Sequence, residues 1–382
     1  MPFILYVFAL TNLVIGTGAF VLSGILQPLA ASLHVSVAAA GQVMTAYALA
    51  SAILGPLLLL ATGSWPRKRA IALALILFTA GSVLCACAGS LATLLLGRVL
   101  MGMGSVFSAL AAGLAVALVA PERRGSALSL AFLGMSLSYA IGVPLGTWLG
   151  FTYGWQAPVW VVAGASVVAT ALLMALLPAR IQAPGANFTG LRQAAHHWPV
   201  LRVWLRTMLY FMAISCVFTY IGPVLLALSP ITPAQLSFTL VMFGLSGVAG
   251  TIIGGLAVDR MGPLPTIRVQ LALLALMMAL LPVTRGHYAL TLLALVIWGM
   301  AGFGSNAPQQ VLLVARSPQH APMLISLNGS MVYVGTAAGA VIGGAFIGTL
   351  GFDQLAWLGL PFALLAIATL WFDTRMQLHP AN

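Results

Sequence analysis

Apolar runs long enough to cross a bilayer follow one another almost without interruption from Phe3 to Phe372. Few folds are open to such a chain. About 20 apolar residues in a helix span the hydrocarbon core, and hydrocarbon offers no partner to a bare backbone group. The runs fall near 3–31, 38–61, 69–89, 92–119, 126–150, 155–177, 203–228, 234–257, 266–284, 288–314, 322–349 and 354–372. Only 5% of the 382 residues are charged and 62% are hydrophobic, against roughly 25% charged in a soluble domain. An all-α integral membrane protein with twelve transmembrane helices is expected, with lipid as its solvent and no room for a separate soluble domain.

Turn chemistry marks the breaks: Gly63-Ser64-Trp65-Pro66, Pro121-Glu122-Arg123-Arg124-Gly125, Ser229-Pro230 and Ser317-Pro318. The longest polar stretch, Pro178 to Pro199, divides the chain into an N-terminal six-helix bundle over 1–178, a cytoplasmic connection over 179–199 and a C-terminal six-helix bundle over 200–382. Val119-Ala120 recurs as Val314-Ala315, 195 residues on. Gly142, Gly146 and the Gly-aromatic corner after them recur as Gly339, Gly343 and Gly351-Phe352, about 197 residues on. Six spans return the chain to its starting side. The interval therefore implies two parallel six-helix pseudo-repeats, a plan that places a binding site at midplane between the halves.

The formal charge of +11 is spread in small groups between the apolar runs. That is the distribution of topology signals, not the dense solvated stripe that reads a phosphate backbone, so no nucleic-acid partner is expected. With the N-terminus in the cytoplasm, the cytoplasmic connections and tail hold thirteen of the fifteen basic residues, from Arg67, Lys68 and Arg69 through Arg123, Arg124, Arg180, Arg192, Arg202, Arg206, Arg260, Arg268 and Arg316 to Arg375. Arg285 falls outside and Arg98 within a span. No Lys or Arg precedes Arg67, so the first run lacks the basic region of a signal peptide and is expected to stay as a span.

Chemistry of an enzyme is missing from the pattern. His34, His196, His197, His287, His320 and His379 lie outside the runs. No paired carboxylates and no phosphate loop with its lysine occur. Cys85 and Cys87 project about 200° apart on a helix and cannot share a metal; with Cys216 they suggest no disulfide framework. No cofactor or metal is expected. A membrane-embedded enzyme and a transporter-like sensor are the alternatives, and a sensor would need a signalling domain that the length does not hold.

Four segments carry a more specific signal. They are Gly24-Ile25-Leu26-Gln27-Pro28 at the end of span 1, Gly97-Arg98-Val99-Leu100-Met101-Gly102-Met103-Gly104 in span 4, Gly134 to Gly146 through Gly142-Val143-Pro144-Leu145 in span 5, and Gly255-Leu256-Ala257-Val258-Asp259-Arg260-Met261-Gly262 between spans 8 and 9. In order and spacing these resemble the major facilitator superfamily, especially its twelve-span drug:proton antiporter and arabinose-efflux-permease-like branch. The resemblance implies a secondary transporter in a bacterial cytoplasmic membrane, both termini cytoplasmic, monomeric, exporting a small solute by alternating access, with protons as the coupling ion to be considered. Between spans 2 and 3 position 63 is Gly where the loop motif expects Asp, so only the basic end Arg67-Lys68-Arg69 survives there.

Site residues follow from these segments. Gly255, Asp259 and Arg260 either latch two helices through an ion pair or helix-end contact or are ordinary solvated loop residues. Gly134, Gly142 and Gly146, with Ser138 between them, give span 5 a small-residue face, and Pro144 permits a kink. That face either packs against span 8 and gates the path or packs generically. Arg98 sits inside an apolar run, where a charge costs on the order of 3 kcal/mol or more; it contacts either a substrate or the backbone carbonyls of span 1. The only acids are Glu122, Asp259, Asp353 and Asp373, all at loops or span ends. Related exporters often hold a carboxylate in the stretch Gly16-Thr17-Gly18-Ala19-Phe20, and here Ala19 takes its place. A neutral or weakly anionic solute, sugar-, nucleoside- or drug-like, is expected over an organic cation. Candidate cavity residues are Asn12, Phe20, Tyr47, Arg98, Tyr139, Tyr220, Asn306, Gln309, Asn328 and Tyr333, though any polar member among them can equally make an interhelical hydrogen bond worth about 0.6 kcal/mol.

Overall fold

A computed structural model describes residues 2–120, 124–177, 198–316 and 321–378. Among these residues every regular element is helical. Eleven helices are long and apolar enough to cross a membrane: α1 Ile4–Ser32, α2 Val37–Ala61, α3 Arg67–Ala86, α4 Leu91–Ala115, α5 Leu130–Tyr153, α6 Gln156–Leu176, α7 Trp198–Phe218, α8 Pro233–Met261, α9 Pro263–Thr284, α10 Tyr288–Leu313 and α11 Leu327–Leu350. α5 is entered from Arg124 and α11 from Ala321. The twelfth helix, α12 Leu355–Leu378, contributes the apolar stretch Leu355–Leu370.

The starts and stops have local causes. Ser36 Oγ accepts the Ala39 N–H at 3.1 Å and Ser90 Oγ the Thr93 N–H at 3.3 Å, capping α2 and α4. Thr232 and Gln235 form a reciprocal box ahead of α8: Gln235 Oε1 accepts the Thr232 N–H at 2.9 Å, and Thr232 Oγ1 accepts the Gln235 N–H at 3.2 Å. At the Gly-aromatic corners, Gly154 (φ 93°) turns α5 into α6 and Gly351 (φ 76°) turns α11 into α12. A β-carbon would strain either turn.

Two compact units form, Met1–Asn187 with Thr232–Gly244, and Phe188–Ile231 with Leu245–Asn382. In the first, α1 packs on α5 and α6, and α3 on α4 and α6. In the second, α7 packs on α11 and α12, and α9 on α10 and α12. One pairing plan thus serves both units, six helices apart. The connection expected over 179–199 lies almost wholly outside the described residues.

Close helix contacts rest on glycine in both units. A β-carbon on Gly134 would lie 1.8 Å from the Ala9 carbonyl oxygen of α1. In α11, Gly335 and Gly339 stand in the same way over the carbonyls of Met208 and Met212 in α7, at 2.3 and 2.4 Å. No ordinary side chain fits there without the helices moving apart.

Candidate functional site

Besides a short turn at Ser105-Val106 in α4, regular winding changes at three places in the first unit. α1 changes from α to 3-10 winding over Val21–Ile25. α2 and α5 each widen to a π turn, at Ala50–Leu54 and Ser138–Gly142. Both π turns lie just ahead of a proline, Pro56 or Pro144. A proline has no N–H for the carbonyl four residues back, and its ring presses on that group; one extra residue in the turn relieves both. The Gly55 N–H reaches Ala50 O and the Val143 N–H reaches Ser138 O, five residues back.

Arg98 of α4 is buried where these irregular turns meet, with 1% of its surface exposed. Its Nη1 donates to Gly18 O at 2.5 Å, its Nη2 to Ala19 O at 2.7 Å and its Nε to Val43 O at 3.0 Å. The first two carbonyls come from the end of the α-wound part of α1, and the third from α2. The Tyr47 ring lies under the guanidinium, 4.6 Å from Cζ, a cation–π contact that further offsets the buried charge. Arg98 therefore clamps α4 to α1 and α2 through their backbones. A small cavity beside it is lined by Gly18, Leu22, Cys85, Met101, Val159 and Val162. Phe20 and Tyr139 stack with ring centroids 4.8 Å apart, bringing the 3-10 stretch of α1 to the π turn of α5.

Asn12 lies deeper in the same unit. Its Nδ2 donates to Ala131 O of α5 at 2.8 Å, and Ser108 Oγ of α4 donates to its Oδ1 at 2.6 Å. The small-residue face of α5, expected against span 8, lies instead against α1: a β-carbon on Gly142 would strike Thr17, and one on Gly146 would strike Val21. What meets span 8 is the backbone of the π turn. Gly244 of α8 approaches Tyr139 O and Ala140 Cα so closely that its β-carbon would lie 2.3 and 2.4 Å away. The reason is geometric, because α1 is the neighbour that α5 packs on along its length and the π turn pushes backbone out on another side.

In the second unit Thr207 of α7 joins two amides. Its Oγ1 lies 2.5 Å from Gln309 Oε1 of α10 and 2.8 Å from Asn328 Oδ1 of α11. One hydroxyl proton cannot serve two acceptors, so one of the amides turns its NH2 to Thr207. Tyr220 sits at a break in α7, before Ile221–Leu228, and donates to Ala340 O of α11 at 2.9 Å. Tyr333 is half-buried in α11. The Asn306 side chain lies outside the described residues. Tyr210 donates its hydroxyl to Gly302 O.

Arg206, expected in the cytoplasmic connection, is fully buried within α7, where its Nε donates to Thr369 Oγ1 of α12 at 2.9 Å. α7 begins at Trp198, five residues before the apolar run starts, so its amphipathic first turns carry Arg202 and Arg206 into the helix. Among the described residues three arginines are buried, Arg67, Arg98 and Arg206, where the sequence placed only Arg98 within a span. Gly255 faces open space; Asp259 and Arg260 are exposed in the last turn of α8. A carboxylate there opposes the helix dipole, and among the described residues Asp259 has no ion pair. Asp353, in the α11–α12 turn, accepts from Arg285 Nη1 at 2.9 Å.

Spacing alone did not single out Ser108, Thr207 or Arg206. A signal existed for Ser108: Gly102-Met103-Gly104-Ser105 returns as Gly302-Phe303-Gly304-Ser305 at an offset of 200, and Ser108 falls just beyond the first copy as Gln309 does beyond the second. The interiors of the units offer hydroxyls, amides and two guanidinium groups, that of Arg98 bound to carbonyls and that of Arg206 to a hydroxyl. Among the described residues, no group of His, Cys, Asp and Glu is placed to hold a metal ion.

The family model of the Major Facilitator Superfamily matches residues 8–321 and, separately, 203–381. The inner membrane transport protein YdhP of Escherichia coli (strain K12) is 30% identical over 367 residues, covering 95% of this chain and 94% of that protein. A probable sugar efflux transporter of Mannheimia succiniciproducens is 24% identical over 96% of this chain and 92% of its own. Among solved structures, a bacterial homolog of the human lysosomal transporter Spinster, in an inward-facing and unoccupied conformation, superposes with a TM-score of 0.82 at 16% identity, covering 99% of this chain and 98% of that one.

Proposed function

The chain belongs to the major facilitator superfamily, a family of small-molecule transporters embedded in the bilayer, and from that membership we propose that it exports a small neutral or weakly anionic organic solute from a bacterial cytoplasm by alternating access. One observation carries the choice of solute. The chain has four acids, and those with described side chains, Asp259 and Asp353, lie at the end of α8 and in the α11–α12 turn, while Ala19 stands in the middle of α1. Among the described residues an organic cation would meet no carboxylate away from the ends of the spans. Proton exchange would likewise need a different group.

The sugar efflux names carried by several relatives support a sugar-like solute first, ahead of nucleoside- or drug-like ones. Phe20, Tyr139 and Tyr333, each partly exposed, are the aromatic groups we assign to a solute ring; Asn306, Gln309 and Asn328 supply amides. Gly255, Asp259 and Arg260 at the end of α8, with the Gly134–Gly146 face and Pro144 of α5, are the moving parts. The transporting unit is the monomer, with both termini cytoplasmic. Counterflow of radiolabelled solutes in proteoliposomes tests the proposal. Saturable exchange of a neutral sugar-like solute is expected, and rapid, saturable, gradient-driven uptake of a lipophilic cation would overturn it.

A further inference from the structure

Gly102-Met103-Gly104-Ser105 and Gly302-Phe303-Gly304-Ser305 mark the same event in two helices. α4 winds regularly over Leu91–Gly104 and resumes at Phe107; α10 winds over Tyr288–Gly304 and resumes at Asn306. Both serines are buried. Proline is not the shared cause, because Pro308 follows the break in α10 and no proline lies near the break in α4.

In α4 the defect can be followed bond by bond. The Val106 N–H would close a regular turn onto Gly102 O, and it goes to Met103 O at 3.4 Å instead. Gly102 O is left with the Ser105 N–H at 3.3 Å, Ser105 Oγ at 2.7 Å and Ser51 Oγ at 3.2 Å. In α10, Gly302 O accepts from Ser305 Oγ at 3.1 Å and from the Tyr210 hydroxyl. Each break therefore has one hydroxyl of its own and one lent by a neighbour, from the π turn of α2 in the first unit and from α7 in the second. A carbonyl left bare away from water is strongly disfavoured. A hydroxyl can swing with such a carbonyl, whereas a helical N–H is fixed in direction.

Beyond each break a polar bond ties the next turn to the first helix of its unit. Ser108 holds Asn12 of α1, and Gln309 holds Thr207 of α7. The stretch before each break packs on a further helix as well: Gly104 stands against Ala74 and Phe78 of α3, and Met300 of α10 against Gly250 of α8. We propose that the two Gly-x-Gly-Ser breaks are paired hinges, at which α4 and α10 bend while Ser51 with Ser105, and Tyr210 with Ser305, keep the freed glycine carbonyl bonded.

The test needs no solute, so it stands apart from the export proposal. Gly302→Ala is a clean probe, because the new β-carbon meets only ordinary contacts, 3.5 Å from Tyr210 Oη and 3.8 Å from Trp298 Cδ1. Alanine favours regular winding over glycine by a factor of about five. Amide hydrogen exchange across 303–309, read by mass spectrometry on the full chain in nanodiscs, is expected to slow about fivefold in Gly302→Ala. In Tyr210→Phe with Ser305→Ala it is expected to rise about tenfold. Ser51→Ala with Ser105→Ala should raise exchange across 103–109 in the same way. Unchanged exchange in Gly302→Ala overturns the hinge even if the double variants fail to fold, and a response confined to one unit overturns the pairing.

Discussion

About two turns before the break in α4 the chain places Arg98; at the equivalent position of α10, 200 residues on, it places Trp298. Both side chains are buried, each with 1% of its surface exposed. Arg98 spends its donors on carbonyls of two neighbouring helices, whereas Trp298 fills volume. The same division runs through the units. α2 and α5 carry π turns ahead of Pro56 and Pro144, while their counterparts α8 and α11 begin with proline and run 29 and 30 residues without another. In the first unit irregular backbone presents carbonyls and a cation binds them. In the second, α8 and α11 stay regular, and Thr207 joins Gln309 and Asn328 side chain to side chain. A shared packing plan thus leaves room for two chemistries, because pairing depends on small residues at contacts and not on what fills the space between.

The largest effect is expected where volume is removed. Trp298→Ala should destabilise the second unit by about 4 kcal/mol, read as a fall in melting temperature in detergent; a loss under about 1 kcal/mol would mean that α10 is not held by volume there. Arg98→Ala should cost about 3 kcal/mol, since three carbonyls lose charged donors while the charge no longer has to be buried. Arg98→Lys sharpens the contrast. A point ammonium cannot reach carbonyls of two helices at once as the planar fork does, so less than half the stability should return, and full recovery would mean that charge alone matters.

Smaller effects separate the polar bonds. Thr207→Val should cost about 2 kcal/mol, because two buried amides lose their shared partner, against about 1 kcal/mol for Ser108→Ala. Equal costs would erase the difference between the units at this level. Arg285→Ala breaks an exposed ion pair with Asp353 and should cost under about 1 kcal/mol, a loss that fades in high salt. A larger and salt-insensitive loss would show that the α11–α12 turn depends on that pair.

Much of this was legible in the residues. The ends of the apolar runs agree closely with the helix ends because glycine, proline and capping residues act locally. The repeat was visible in the Gly-aromatic corners, and Gly154 and Gly351 both prove to need positive φ. Arg98 stood out because a lone charge in an apolar run must find partners. Arg206 did not, since the apolar run opens after Arg202 and an arginine close to its start looks like loop charge; only Thr369 on a distant helix makes it interior. The glycines of α5 announced a close contact but not its partner, because smallness says that a helix approaches and not which one.

Sequence alone determined the medium, the number and ends of the spans, the two-fold repeat and the kink that Pro144 permits. These follow from composition and from short-range backbone chemistry, in which each residue acts on neighbours within a turn or two. Tertiary structure alone decided which carbonyls Arg98 binds, that α5 lays its small face on α1, and that Thr207 gathers amides from α10 and α11. Those outcomes depend on helix rotation and register between segments about 50 to 120 residues apart in sequence. Many apolar faces are interchangeable at that distance until directional bonds fix them.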